Sequence, residues 1–189
     1  SGNLNWPEYQ TYMDEWWCSE FRANNADAYN ITPTRSYQDC MLFHLRRMLR
    51  EGLDGIYFDN IRDWPNTNFV TGPAYRLPDG SIQPYFDLFD LRDFVKRTVN
   101  MLYKEGKTLP DGRPYLVCHM TNSNLVPIMS LAAMQLDLEA NYGSTDFHER
   151  FSDGYYQTCT LGTQTGTIPQ ILVMLTGKQL DYLDRKSVV

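Results

Sequence analysis

Short apolar segments alternate with helical segments along this 189-residue chain, and that alternation constrains the fold more than any other feature. Three segments are predicted strands: DGIYFD from residue 54, YLVCHMT from 115 and QLDLEANYG from 135; IPQILVML from 168 is expected to be a fourth strand or a short helix. Helical patterns cover residues 36–51 and 87–105, a short helix or turn is expected at 125–134, and a helix, or a loop and a helix, near 145–160. Strands that alternate with helices favour an α/β fold with a mostly parallel sheet.

Flanking signals set the expected limits of the other elements. Ser36 is the predicted N-cap of the first long helix, and Gly52 its end. An earlier amphipathic helix is predicted to start at Pro7 and run through the aromatic residues of PEYQTYMDEWWCSEF, with residues 24–34 as a loop. The tripeptide Pro78-Asp79-Gly80 indicates a tight turn, typical of a small hairpin.

Composition restricts the partners that this chain would bind. A net charge of −6 and a pI near 5.0 argue against nucleic acid or an anionic membrane and favour a neutral ligand or a protein. No apolar run approaches the roughly 18 residues that a membrane span needs. Cys18, Cys40, Cys118 and Cys159 form no CxxC pair, so neither a zinc motif nor a disulfide scaffold is indicated, and no metal or cofactor is expected.

Polar residues fall where the predicted strands end. Asp59 closes the first strand on the face of Tyr57, His119 lies near the end of the second, and Asp137 and Glu139 share a face of the third. In a parallel α/β sheet these carboxyl ends lie along one edge, where ligands bind. The sequence therefore predicts a site built around Asp59 and Glu139, with Asp137 as a competitor on the same face.

Each residue of this site also has an ordinary structural explanation. An acid after a strand often caps the next helix, although no helix pattern follows Asp59. A histidine at a strand end can simply bond a neighbour. The further candidates for substrate contact lie in the loops after the strands, where they could equally form turns or loop tips. These candidates are Asn60, Asp63, Trp64 and Asn122.

Two carboxylates, a histidine, amides and many aromatic side chains suit glycoside hydrolysis. One carboxylate serves as nucleophile or stabiliser, and the other protonates the leaving oxygen. We assign the first role to Asp59 and the second to Glu139. Tyr57, Asn60, Asp63, Trp64, His119, Asn122 and Asp137 are the predicted substrate contacts. If one strand separates them, Asp59 and Glu139 stand on alternate strands, whose side chains share a layer in a barrel.

The segments GLDGIYFDN, YLVCHMTNSNLVPIMSLAAMQLDLEANYG and GTIPQILVML resemble the catalytic barrels of bacterial glycoside hydrolases, particularly glycoside hydrolase 123-like proteins. More remotely, DGIYFD is similar to the nucleophile strand of α-galactosidase and endo-α-N-acetylgalactosaminidase barrels. The resemblance implies that Asp59 matches the aspartate at the end of strand four and that Glu139 matches an acid on strand six. It also implies that the protein is periplasmic or secreted. The adjacent Asp-Glu pair of the 123-like enzymes has a counterpart only at Asp14-Glu15, on the predicted first helix.

A full (β/α)8 TIM barrel takes about 250 residues, so the four strands predict only its C-terminal part, about strands 4 to 7. We therefore expect residues 1–189 to form a single unit, a partial catalytic barrel that a missing N-terminal segment or another copy would complete. The substrate would be an oligosaccharide or glycoconjugate. Two alternatives remain open: a non-catalytic carbohydrate-binding barrel fragment, or a metal-dependent hydrolase that uses Asp59, His119 and Glu139.

Overall fold

The computed structural model describes residues 2–3, 6–19, 28–61, 63–119, 125–140, 152–159 and 166–173. Its helices are α1 Pro7–Thr11, α2 Met13–Trp16, α3 Arg35–Arg50, α4 Leu88–Lys104, α5 Val126–Met129 and α6 Asp153–Cys159. Its strands are β1 Gly2–Asn3, β2 Trp17–Ser19, β3 Ala28–Ile31, β4 Ile56–Phe58, β5 Pro65–Asn66, β6 Tyr75–Arg76, β7 Ile82–Gln83, β8 Tyr85–Phe86, β9 Leu116–His119, β10 Met134–Ala140 and β11 Ile168–Val173.

Both long helices predicted from the sequence are confirmed, with small changes at their ends. The N-cap of α3 is Thr34 rather than Ser36, because the Thr34 hydroxyl accepts a hydrogen bond from the backbone N–H of Tyr37 at 3.3 Å. Ser36 lies inside the helix, where its hydroxyl accepts from the indole N–H of Trp16 at 2.8 Å. Gly52 follows the end of α3 with φ of 121°, a conformation that favours glycine.

The single long helix predicted from Pro7 is wrong. The chain forms two short helices separated at Tyr12, and Trp17 begins β2 instead of continuing the helix. β2 pairs antiparallel with β3, so part of the segment 24–34, predicted as a loop, is a strand. The side chain of Trp16 is buried against the rings of Tyr12 and Tyr37, and this tertiary packing overrides the local helical pattern.

The chain gathers into two compact units, one formed by residues 1–53 and 63–105, the other by residues 54–62 and 106–189. The first unit contains α3 and α4, the three-stranded sheet of order β1-β3-β2, and the antiparallel pairs β5–β8 and β6–β7. The β6–β7 pair confirms the hairpin predicted at Pro78-Asp79-Gly80. The single catalytic unit predicted over residues 1–189 stays a prediction.

The second unit is built on a four-stranded sheet of order β11-β10-β9-β4, in which all neighbouring strands are parallel. This sheet confirms the predicted α/β class and the four predicted strands. Ile56, Leu116 and Cys118 are buried and occupy one face, because Ile56 pairs with Leu116 and Phe58 with Cys118. Within the described ranges, no helix has both the length and the hydropathy needed to cross a membrane.

Asn68 fixes the loop after β5 in the first unit through both ends of its buried side-chain amide. Its Nδ2 donates to three backbone carbonyls and its Oδ1 accepts from two backbone N–H groups. The carbonyl partners are Asp14 (3.2 Å), Glu15 (3.0 Å) and Trp17 (2.7 Å), and the N–H partners are Val70 (2.8 Å) and Thr71 (3.1 Å). A single side chain therefore joins α2 and the start of β2 to this loop.

We expect Asn68→Ala to lower the free energy of unfolding by about 2 kcal/mol, since it removes the hydrogen bonds that this side chain makes with five backbone groups. Urea denaturation followed by circular dichroism measures the change. Asn100→Ala is the matched control, because Asn100 is exposed on α4 and its truncation should change the free energy by less than about 0.5 kcal/mol. Equal effects of the two substitutions would contradict this role for Asn68.

Candidate functional site

The register of β4 and β9 brings Asp59 and His119 to the same level of the sheet. Tyr57 pairs with Val117 and Phe58 with Cys118, so the next residue on each strand is Asp59 or His119. Two residues beyond Asp59, the backbone N–H of Ile61 donates to the His119 carbonyl at 2.9 Å. The two polar residues predicted at the ends of neighbouring strands thus lie side by side at the carboxyl edge, as expected.

Asp59, His119 and Tyr57 form a hydrogen-bonded triangle. Nδ1 of His119 lies 2.7 Å from Oδ1 of Asp59 and 2.7 Å from the hydroxyl of Tyr57. The same hydroxyl donates to Oδ1 of Asp59 at 3.2 Å. An ionised carboxylate only accepts hydrogen bonds, so Nδ1 of His119 carries the proton that it shares with Asp59. Oδ1 of Asp59 is therefore fixed by two donors.

Asp59 is nevertheless open to solvent. Its side chain is 60% exposed and that of Tyr57 is also accessible, whereas His119 is only 5% exposed. Oδ2 of Asp59 accepts no hydrogen bond from any residue in the described part of the chain. One oxygen of the carboxylate is thus held in place while the other remains available to a ligand.

The backbone leaves the sheet directly after Asp59. Asn60 has φ of 51°, and among the described residues it is the one non-glycine residue with a positive φ. Asparagine adopts this left-handed conformation more readily than most residues because its short polar side chain can bond locally. Asn60 is exposed in the turn, which accounts for its residue type through backbone geometry; its predicted contact with substrate stays a prediction.

The remaining predicted site residues are described to different extents. Asp63 and Trp64 are half-buried and belong to the first unit. Asn122 lies outside the described residues. Asp137 and Glu139 belong to β10, for which the backbone and its register are described, but their side chains lie outside the described part.

A second polar cluster, which sequence patterns did not predict, lies in the first unit around the fully buried Asn66. Its Nδ2 lies 2.9 Å from the hydroxyl of Thr32, 2.9 Å from that of Tyr85 and 2.6 Å from Oδ2 of Asp87. Asp87 is the N-cap residue of α4, but its carboxylate makes no cap bond and turns to Asn66 instead. The cluster joins β5, β8 and the start of α4 to the residue that follows β3.

Burial raises the pKa of Asp87 to about 6, because only part of the cost of burying the charge is offset by the hydrogen bonds from Asn66 and Tyr85. The charges of Asp90 and Asp63 raise it further. Burial likewise raises the pKa of Asp63, opposed by a hydrogen bond from the backbone N–H of Asp87. Oδ1 of each of these two carboxyl groups is buried and accepts no hydrogen bond from the part of the chain that the structure describes.

Comparisons with family models, curated proteins and solved structures return no match to this chain. The resemblance to bacterial glycoside hydrolases therefore stays a prediction. No group of three His, Cys, Asp or Glu side chains placed to hold a metal ion occurs among the described residues. The metal alternative requires Glu139, whose side chain is outside that set, so it too stays a prediction.

Proposed function

We propose that this chain carries a glycoside hydrolase site in which Asp59 is the nucleophile or electrostatic stabiliser. The observation that carries the proposal is the hydrogen bonding and solvent exposure of the Asp59 carboxylate. Oδ1 accepts hydrogen bonds from Tyr57 and His119, while Oδ2 accepts none from the described residues and the side chain is 60% exposed. A nucleophile of this kind needs one oxygen held for orientation and the other free to reach the anomeric carbon.

In this proposal Glu139 on β10 is the acid/base, which protonates the leaving oxygen and then activates water. The proposal takes the parallel sheet as strands 4 to 7 of a (β/α)8 barrel, a fold whose active sites lie at the carboxyl ends of the strands. An α-linked or N-acetylated sugar is the expected substrate, as the sequence resemblance implies. Exposed aromatic faces such as that of Tyr57 would stack on the sugar ring.

A panel of aryl glycosides, incubated with this chain, tests the proposal. Release of the aryl alcohol identifies the sugar, and proton NMR of the first product distinguishes retention from inversion. Binding of an oligosaccharide without cleavage would instead support a non-catalytic carbohydrate-binding domain. Cleavage that is lost on chelation and restored by a divalent metal would support the metal-dependent alternative.

Tyr57→Phe should lower kcat on a cleaved glycoside by about 10- to 100-fold and change KM little. The reason is that it removes one hydrogen-bond donor that orients the Asp59 carboxylate for the reaction. The substitution removes the hydroxyl that donates to Asp59 and contacts His119. Tyr103→Phe is the matched control, because Tyr103 on α4 is exposed to the same degree, 51% against 52%. A rise in KM with unchanged kcat would instead assign Tyr57 to substrate binding alone.

A further inference from the structure

Strand β10 contains one residue more than its neighbour β11 over the same length. Leu136 pairs with Gln170, but the next pairs are Leu138 with Ile171 and Glu139 with Leu172. Asp137 therefore has no partner in the ladder, and the register shifts between Leu136 and Leu138. This is a β-bulge, in which one strand carries an unpaired extra residue.

The bulge changes which residues of β10 share a face. Paired residues of parallel strands lie on the same face, and alternate residues of a strand return to it. Leu136 pairs with His119 on one side and with Gln170 on the other. Two residues further along β11, Leu172 returns to that face, and its partner is Glu139.

Regular alternation along β10 would have given the opposite result. Without the extra residue, Leu138 would follow Leu136 on the face of His119, and Glu139 would lie on the face of Gln135 and Cys118. The regular alternation from which the sequence predicted a shared face for Asp137 and Glu139 is therefore interrupted at Asp137. Bulges re-aim side chains next to functional sites in many proteins.

We infer that the bulge at Asp137 sets Glu139 on the face of the sheet that carries Asp59 and His119, and makes Glu139 the second carboxylate of the site. The chemical role rests on the proposed function, whereas the placement rests on register alone. Glu139 lies two strands from Asp59 and two register positions further along, roughly 10 Å across and 7 Å along the sheet. A backbone separation of this size leaves room for a sugar between two carboxylates.

Engineered zinc binding tests the placement without any turnover. Glu139→His and Leu138→His, each made in the whole chain, place an imidazole at one of two adjacent positions, of which only one can share the face of His119. We expect Glu139→His alone to gain a zinc site with His119. In Zn²⁺ at about a hundredfold excess over Kd, its Tm should rise by roughly 5–10 °C, and His119→Ala in the same variant should abolish the rise.

A His119-dependent rise in Leu138→His, or no rise in either variant, would overturn the inference. If a histidine variant fails to fold, Glu139→Cys and Leu138→Cys repeat the test, since cysteine and histidine are both good zinc ligands. A zinc site in Glu139→His together with no cleavage of any glycoside would sink the proposed function and leave the placement standing. Cleavage that survives in Glu139→Gln would remove Glu139 from the chemistry.

Discussion

Asp59→Asn should lower kcat/KM on a cleaved glycoside by at least about 10³-fold, equivalent to roughly 4 kcal/mol of transition-state stabilisation. The amide that replaces the carboxylate cannot form the glycosyl bond or balance the positive charge that develops at the anomeric carbon. The fold should remain, because the side chain lies in an exposed turn and an Asn oxygen still accepts hydrogen bonds from Tyr57 and His119. We expect the free energy of unfolding to change by less than about 1 kcal/mol.

The matched control is Asp54→Asn, an exposed carboxylate that precedes the same strand instead of following it. It should keep wild-type kcat/KM, because the amino end of a parallel strand lies at the edge opposite the site. Steady-state kinetics and urea denaturation of the two variants provide the comparison. Activity of Asp59→Asn close to that of the wild type would remove Asp59 from the reaction.

The parallel sheet and the position of Asp59 and His119 at one edge of it could be predicted because both follow from local patterns. Each strand is a short apolar run bounded by helical segments, and each polar residue stands where its run ends. Parallel order then brings strand ends to one edge whatever the details of packing. The placement of Tyr57 on the same face as Asp59 also follows from strand alternation, since Tyr57 lies two residues before Asp59.

Features that depend on tertiary pairing were missed. The first predicted helix failed because Trp16 packs among aromatic rings and the following residues pair with β3, neither of which is visible in a local pattern. The bulge at Asp137 was missed because one unpaired residue alters the register without changing the apolar character of the strand. A single such residue is enough to exchange the faces of everything beyond it.

The sequence pattern does not predict the cluster around Asn66 and Asp87, because it favours a different role for Asp87. Asp87 directly precedes a helix, where an aspartate normally caps the first turn. Its carboxylate instead satisfies Asn66, a residue 21 positions away, and nothing between them predicts that contact. The perturbed pKa of Asp87 is the property through which this cluster can be detected in solution.

Asp87→Asn should remove a large part of the pH dependence of stability between pH 4 and pH 7. The native pKa of Asp87 is about 6, above its ordinary value of 3.8, so the folded chain binds a proton more tightly than the unfolded chain does. The stabilisation is fully present below about pH 3.8 and is lost as pH rises through 6. A pKa shift of this size corresponds to about 3 kcal/mol in the free energy of unfolding. Solvent screening reduces this value little, because Asp87 is only 7% exposed.

Urea denaturation at pH 4, 5, 6 and 7 measures the dependence in the wild type, in Asp87→Asn and in the control Asp93→Asn, an exposed carboxylate on the same helix. The neutral amide of Asp87→Asn can direct its oxygen toward Asn66, and it carries no carboxyl group that becomes charged in a buried position as pH rises. The variant should therefore gain stability relative to the wild type as pH rises from 4 to 7, whereas Asp93→Asn should keep the wild-type slope. Parallel curves for all three proteins would mean that Asp87 stays ionised in the folded chain, with its charge satisfied by Asn66 and Tyr85 alone.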